Sequence, residues 1–218
     1  MTTDIVVVVY EGFDEMDAIA PYEVFSHASD RGCDLDVSVR TLDSADRVTA
    51  SHGLDVEVDG RLADADPDFV VVPGGGWNDR ADTSAWAEAQ RGDLPRALTD
   101  LHEDGVGLAA VCTGGMLLAE AGILDDRPAV THASALDDLR ETDAEVVDAR
   151  VVDASGGTLS SGATPSDDGD VLTAGGVTSG LDLSLYLVGR ICGEEVAEQV
   201  ATEIEYEPRE DVYVAREE

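Results

Sequence analysis

Runs of β-branched residues alternate along this chain with segments of helical period. Ile5 to Tyr10 is an unbroken apolar run, the pattern of a strand covered on both faces. Glu11-Gly12 breaks it, and a helix is predicted over about 18–29, carrying Ile19, Tyr22, Val24 and Phe25 with Pro21 in its first turn. Leu35 to Val39 alternates as a second strand, and Val48 to Ser51 with Leu54 to Val58 reads as a hairpin about His52-Gly53. Phe69 to Val72 is a third buried strand, ending in Pro73-Gly74-Gly75-Gly76-Trp77. Arg80 to Gly92 has no clear period and reads as a mobile loop. A helix over 94–103 then leads to the apolar strand that ends at Cys112 and passes directly into another helix. Beyond it come a short strand at 129–131, a helix at 135–140 and strands near Val146, Val151 and Leu159. A strand at 171–173 and helices over 179–192 and 194–204 follow, with a polar, mobile tail from about Glu205. Strands alternating with helices predict an α/β fold, a mostly parallel sheet sandwiched by helices, as one domain over residues 1–218.

The charge changes the picture of the surface. Forty-eight acids against 13 basic residues give a formal net charge of −35. Every basic residue is Arg, so Schiff-base, pyridoxal-phosphate and P-loop lysines are excluded. Nucleic-acid binding, which needs a basic surface, is not expected. The acids are spread among periodic segments, which predicts a folded protein with an acidic shell, suited to a halophilic source. No apolar run reaches membrane-spanning length and the N-terminus lacks a basic signal segment, so a cytoplasmic protein with no membrane partner is expected.

The three cysteines are odd in number and widely spaced, which gives neither a disulfide framework nor a zinc pattern. Cys33 and Cys192 read as packing residues. Cys112 is different, because a sharp strand-to-helix turn exposes its central side chain at the carboxyl edge of a sheet. The free amides and dipole of the following helix favour thiolate there. Gly114 and Gly115 remove bulk so that a ligand can approach the backbone. A buried structural cysteine is the alternative, and the placement between strand and helix argues against it. No set of His, Cys and carboxylates has metal-ligand spacing, so no metal is expected.

Three strand ends therefore carry unusual residues: Gly12 to Phe25 after the first, Pro73-Gly74-Gly75-Gly76, and Cys112 itself. Met16-Asp17-Ala18-Ile19-Ala20-Pro21-Tyr22-Glu23-Val24-Phe25, Val72-Pro73-Gly74-Gly75, Val111-Cys112-Thr113-Gly114-Gly115, Val130-Thr131-His132 and Thr173 to Asp182 together resemble the ThiJ/PfpI superfamily. That superfamily has the class I glutamine-amidotransferase-like flavodoxin sandwich with a nucleophile elbow, and the nearest branch is the isonitrile hydratase-like group. Glu205-Tyr206-Glu207-Pro208 is similar to the tail of that branch. The resemblance implies that Cys112 is the nucleophile and Asp17 its acidic partner; Asp17 as a plain helix N-cap is the competing reading. Backbone amides of Gly75 and Thr113, with Gly114 beside them, would bind a developing negative charge or substrate. His132 and Glu23 are weaker candidates for proton transfer.

The chain departs from its relatives in informative places. Thr113 stands where the protease and amidase branch has His, so no Cys–His pair forms directly. Ala20 precedes Pro21 where Gly is common in the isonitrile branch, and Ala133 follows His132 where an aromatic residue is expected. The expected activity is a cofactor-independent, cysteine-dependent hydratase or hydrolase of a small electrophile, turning an isonitrile into an N-substituted formamide. Glyoxalase or deglycase chemistry is the first alternative, and a non-catalytic ligand or thiol-oxidation sensor the second. The resemblance also implies a homodimer.

Overall fold

The computed structural model describes residues 2–155 and 169–215. The first half holds β1 (Thr3–Val8), α1 (Glu15–Asp30), β2 (Leu35–Thr41), β3 (Arg47–Thr49), β4 (Asp55–Glu57), β5 (Gly60–Arg61) and β6 (Phe69–Val72). Next come α2 (Ala85–Arg91), α3 (Asp93–Glu103), β7 (Gly107–Val111), α4 (Gly114–Glu120), β8 (Pro128–Ala129), α5 (Leu136–Leu139) and β9 (Glu145–Val146). The chain continues through β10 (Val151–Asp153), β11 (Val171–Ala174), α6 (Ser179–Cys192), α7 (Glu194–Glu203) and β12 (Val212–Val214).

Eight strands form one sheet in the order β12-β10-β11-β7-β6-β1-β2-β5. All pairs in it are parallel except β10 with β11. The β-branched runs occupy its centre, where Ile5, Val6 and Val7 pair with Phe69, Val70 and Val71 and are fully buried. Each such side chain removed from water stabilises the fold by about 1.5–3 kcal/mol. From β1 the chain steps through α1 to β2 on one side, and from β6 it steps through α2 and α3 to β7 on the other. Right-handed crossovers in opposite directions put α1 and the α2–α3 pair on opposite faces. The order reverses between β1 and β6, and a parallel sheet binds ligands at the carboxyl ends beside such a reversal.

Local chemistry explains where the elements differ from the sequence pattern. α1 begins at Glu15 because the Asp14 carboxylate accepts the Met16 N–H at 3.1 Å, which makes Asp14 the N-cap and leaves Asp17 inside the first turn. Pro21 consequently lies in the helix interior rather than its first turn. Within 80–92, Ser84 accepts the Ala87 N–H and Gly92 closes the turn at φ 74, so α2 stands where a loop was expected. Residues 206–215 of the tail are tied down as well. Tyr206 Oη and the Arg209 N–H both donate to Asp182, at 2.7 and 2.8 Å, and β12 pairs with β10 at the sheet edge. The hairpin is present as β3 and β4, whereas the strand expected near Leu159 lies outside the described residues. No helix among the described residues is long and apolar enough to cross a membrane.

The reading of Cys33 and Cys192 as separate packing residues is overturned. They form a disulfide with Cα atoms 5.6 Å apart, joining the segment after α1 to the last residue of α6. Their separation of 159 residues hides the pairing from any local pattern.

Candidate active site

The site is built where β1, β6 and β7 end. Every residue of β7 is buried, and Cys112 follows it at φ 58, a left-handed conformation unusual for a residue with a side chain. Surrounding hydrogen bonds hold that conformation. The Cys112 N–H donates to the carbonyls of Ala174 and Gly175 at 3.2 and 3.0 Å, and its carbonyl accepts Thr131 Oγ1–H at 2.8 Å. The elbow presses closely on the end of β6. A Cβ on Gly114 would lie 2.1 Å from the Val72 carbonyl oxygen, and one on Gly74 would lie 2.5 Å from the Thr113 nitrogen. Gly114 thus packs against protein backbone rather than opening space for a ligand.

Asp17 comes from the first turn of α1 and is completely buried; Cys112 is 6% exposed. The Gly74 N–H donates to Asp17 Oδ2 at 3.1 Å, and the carboxyl group lies within hydrogen-bonding reach of Cys112 Sγ. Asp17 Oδ1 is buried and, among the described residues, makes no conventional hydrogen bond to nitrogen or oxygen. Burial, reinforced by the Asp14 charge, raises Asp17 to about 7. Burial, and then the Asp17 charge, pushes Cys112 up to about 12, against the pull of the Thr113 and Val177 amides. Burial thus opposes the resting thiolate that the helix dipole favours. α4 has only seven residues, and enclosing the sulfur outweighs what its amides contribute.

The remaining candidates divide. The Gly75 N–H donates to Thr113 Oγ1 at 3.0 Å, while the Thr113 N–H is directed at Cys112 Sγ, so neither amide is idle in this state. His132 lies against Gly176, whose missing side chain would meet its ring at 2.3 Å. Its Nδ1 accepts the Ser134 N–H at 3.1 Å and pairs with Ser134 Oγ at 2.7 Å; Asn78 Nδ2 donates to that same oxygen. A neutral His132 ring is thereby held with its proton on Nε2. Glu23 does not reach the site: it is 62% exposed and stands 3.7 Å from His27 on the outer face of α1.

Two contributors were not singled out from sequence. Val177 turns its N–H toward Cys112 Sγ at φ 44, a conformation that a β-branched residue rarely adopts and that no pattern announces. Tyr10 is buried beside the pair and donates its hydroxyl to the Pro73 carbonyl at 2.8 Å, fixing the loop that carries Gly74 and Gly75. The fold also gathers Asp14, Glu15 and His52, with one ligand-type atom from each within 4.8 Å of the others. Glu15 accepts both the His52 N–H and Nδ1–H at 2.7 and 2.8 Å, so Glu15 and His52 satisfy one another, while Asp14 caps α1. A separate acidic groove of about 790 Å³ is lined by residues such as Tyr186, Ala201, Tyr206 and Glu198, none of them around Cys112.

Comparison with known proteins bears on this centre. Isonitrile hydratase of Pseudomonas putida is 28% identical over 196 residues, covering 89% of this chain and 74% of that protein. A deglycase of Thermococcus kodakarensis is 28% identical over 154 residues, covering 65% and 80%. The crystal structure of a ThiJ/PfpI family protein from Pseudomonas syringae superposes with a TM-score of 0.77 at 24% identity, covering 95% of this chain and 76% of that one. The DJ-1/PfpI family model matches residues 3–189, a span that contains the β1, β6 and β7 ends, Asp17, Cys112 and Val177. On that span the chain is a member of the DJ-1/PfpI family.

Proposed function

We propose that this protein is an enzyme that hydrates a small neutral electrophile, with an isonitrile as substrate and Cys112 as nucleophile. The observation that carries the reading is the enclosed Asp17–Cys112 pair, in which one carboxyl group can both take and return the thiol proton. In the scheme, Asp17 accepts the Cys112 proton as sulfur attacks the terminal isonitrile carbon, and the same proton then passes to that carbon. The product of this half is a thioimidate. Water adds to it, the carbon–sulfur bond breaks, and an N-substituted formamide leaves as the thiol is restored. Every proton and electron pair is supplied by Cys112, Asp17, substrate and water, so the scheme needs no cofactor. The Thr113 and Val177 amides face the sulfur and stabilise the charge that builds on it during departure. Among the described residues, no cationic side chain acts on the pair, which suits an uncharged substrate. The similarity to an isonitrile hydratase supports the same choice.

The rivals fit less well. Glyoxalase or deglycase chemistry must move a proton between two carbons. Here Glu23 faces solvent and His132 Nδ1 is occupied by Ser134, so neither of these two candidates is placed as a second base. A redox-sensor thiol is accessible and low in pKa, whereas Cys112 is enclosed and pushed up. The working form is expected to be a cytoplasmic homodimer. The test compares wild type with Cys112→Ala on cyclohexyl isonitrile and on methylglyoxal, at high and low KCl. Wild type should yield formamide, and the variant, still folded by circular dichroism, should yield none. Undiminished formamide from the variant, or turnover of methylglyoxal alone, overturns the reading.

A further inference from the structure

The Cys33–Cys192 disulfide occupies a particular place in the fold. α1 starts at the site with Asp14 and Asp17, and α6 starts just after Val177. The two helices pack together near these starts, where a Cβ on Gly180 would stand 3.6 Å from Pro21 Cγ. Their far ends carry the two sulfurs: Cys192 is the last residue of α6, and Cys33 lies three residues after α1. At 16 residues α1 is about 24 Å long, so the bond closes the end of the helix pair opposite the site. Both cysteines are half-buried, and each adjoins a glycine at positive φ, Gly32 and Gly193, with no atom within 4 Å of where a side chain would be. That open space admits a reductant. Arg31, paired with Glu203 at 2.8 Å, ties the same end of α1 to α7 without a covalent bond, so reduction loosens this end rather than releasing it.

We propose that Cys33 and Cys192 form a second, redox-active site, a substrate for dithiol reductants, whose state sets how tightly the α1–α6 pair encloses Cys112. In the exchange, a thiolate of the reductant attacks one sulfur of the pair and the protein disulfide breaks, leaving a mixed disulfide. The reductant's second thiol displaces the remaining bond. Two electrons pass to the protein, the reductant leaves as its own disulfide, and its two thiol protons end on Cys33 and Cys192. With the staple open, α1, which carries Asp17, and α6, which follows directly on the turn that holds the Val177 amide, gain freedom relative to each other, and the sulfur between them becomes easier to reach. The inference uses the Cys112 centre but not the identity of its substrate.

The experiment is peptide-resolved alkylation of the full chain by iodoacetamide, well below its melting temperature. It compares protein purified without reductant, protein reduced and then desalted anaerobically, and the double variant Cys33→Ser/Cys192→Ser. Of the three cysteines, only Cys112 should take label after denaturation of the unreduced protein. On folded protein, reduction should speed Cys112 labelling roughly three- to tenfold. The double variant should show the fast rate without reductant and no response to it. Labelling of all three cysteines in unreduced, denatured protein overturns the proposal, as does an equal Cys112 rate in oxidised and reduced wild type. If the double variant does not fold, the wild-type comparison decides alone. Because the readout is alkylation, failure to hydrate isonitriles leaves this result unaffected.

Discussion

A carboxyl group and a thiol sealed in one pocket must share protons that water would otherwise carry. Below about pH 7 both Asp17 and Cys112 hold a proton; above it the pair holds one, and that form can pass a proton from sulfur to substrate. kcat/KM should therefore rise up to about tenfold per pH unit below 7 and level off above it, as a pH–rate profile would record. A rate that fell through this range would exclude Asp17 as the acceptor. Stability should run the other way. In the unfolded chain Asp17 ionises near its ordinary value of about 4, whereas in the fold it keeps its proton up to about 7. Its contribution is complete below about pH 4, is lost as pH rises toward 7, and is flat beyond. Asp17→Asn keeps an acceptor for the Gly74 amide and removes that loss. The variant should be inactive yet more stable at pH 8 by about 2–4 kcal/mol, read from urea unfolding at several pH values. That Cys112 and Asp17 lie together was legible because each sits in a short local motif that carries the family resemblance. Val177 was not, since its role rests on a strained φ and on a neighbour 65 positions earlier in the chain.

At the scale of elements, the site depends on how closely the elbow and the end of β6 approach. A Cβ on Gly114 meets the Val72 carbonyl at 2.1 Å, and no side-chain rotation relieves a clash with backbone. Gly114→Ala should cost about 2–3 kcal/mol, and Gly115→Ala, whose nearest neighbour stands at 3.1 Å, clearly less. Equal urea midpoints for the two variants would refute this account of the elbow. Strand and helix identity was readable wherever one period persisted: β6 and α6 lie where the apolar pattern put them. It failed where a single side chain made the decision. Asp14 moved the start of α1 forward despite Pro21, and Ser84 nucleated α2 in a stretch with little apolar period. The ordering of the tail needed Asp182, a residue of α6 that only the folded topology brings to Tyr206 and Arg209. The disulfide was hidden for the same reason.

For the whole molecule, the sheet resolves the central strands' apolar demand, while the surface is left with a charge its own cations cannot balance. Thirteen arginines face 48 acids, and pairs such as Arg61–Asp64, Arg96–Asp93 and Arg140–Asp137 are exposed neighbours within one turn. Each such pair contributes little. The unfolded chain spreads the same charges farther apart, so repulsion in dilute buffer favours unfolding. Raising salt shortens the screening length from about 10 Å at 0.1 M to about 3 Å at 1 M, below most spacings between surface acids. The melting temperature should consequently climb by roughly 5–10 °C between 0.1 and 2 M KCl, the shift that about 2–3 kcal/mol makes in a chain of this size. Sucrose at matched osmolality separates this from a general strengthening of burial, because it is excluded from surfaces without screening charge. A larger gain in KCl than in sucrose supports an acidic shell adapted to concentrated salt. Equal gains would mean that the charge is tolerated at low salt and that the halophilic reading of the composition is wrong.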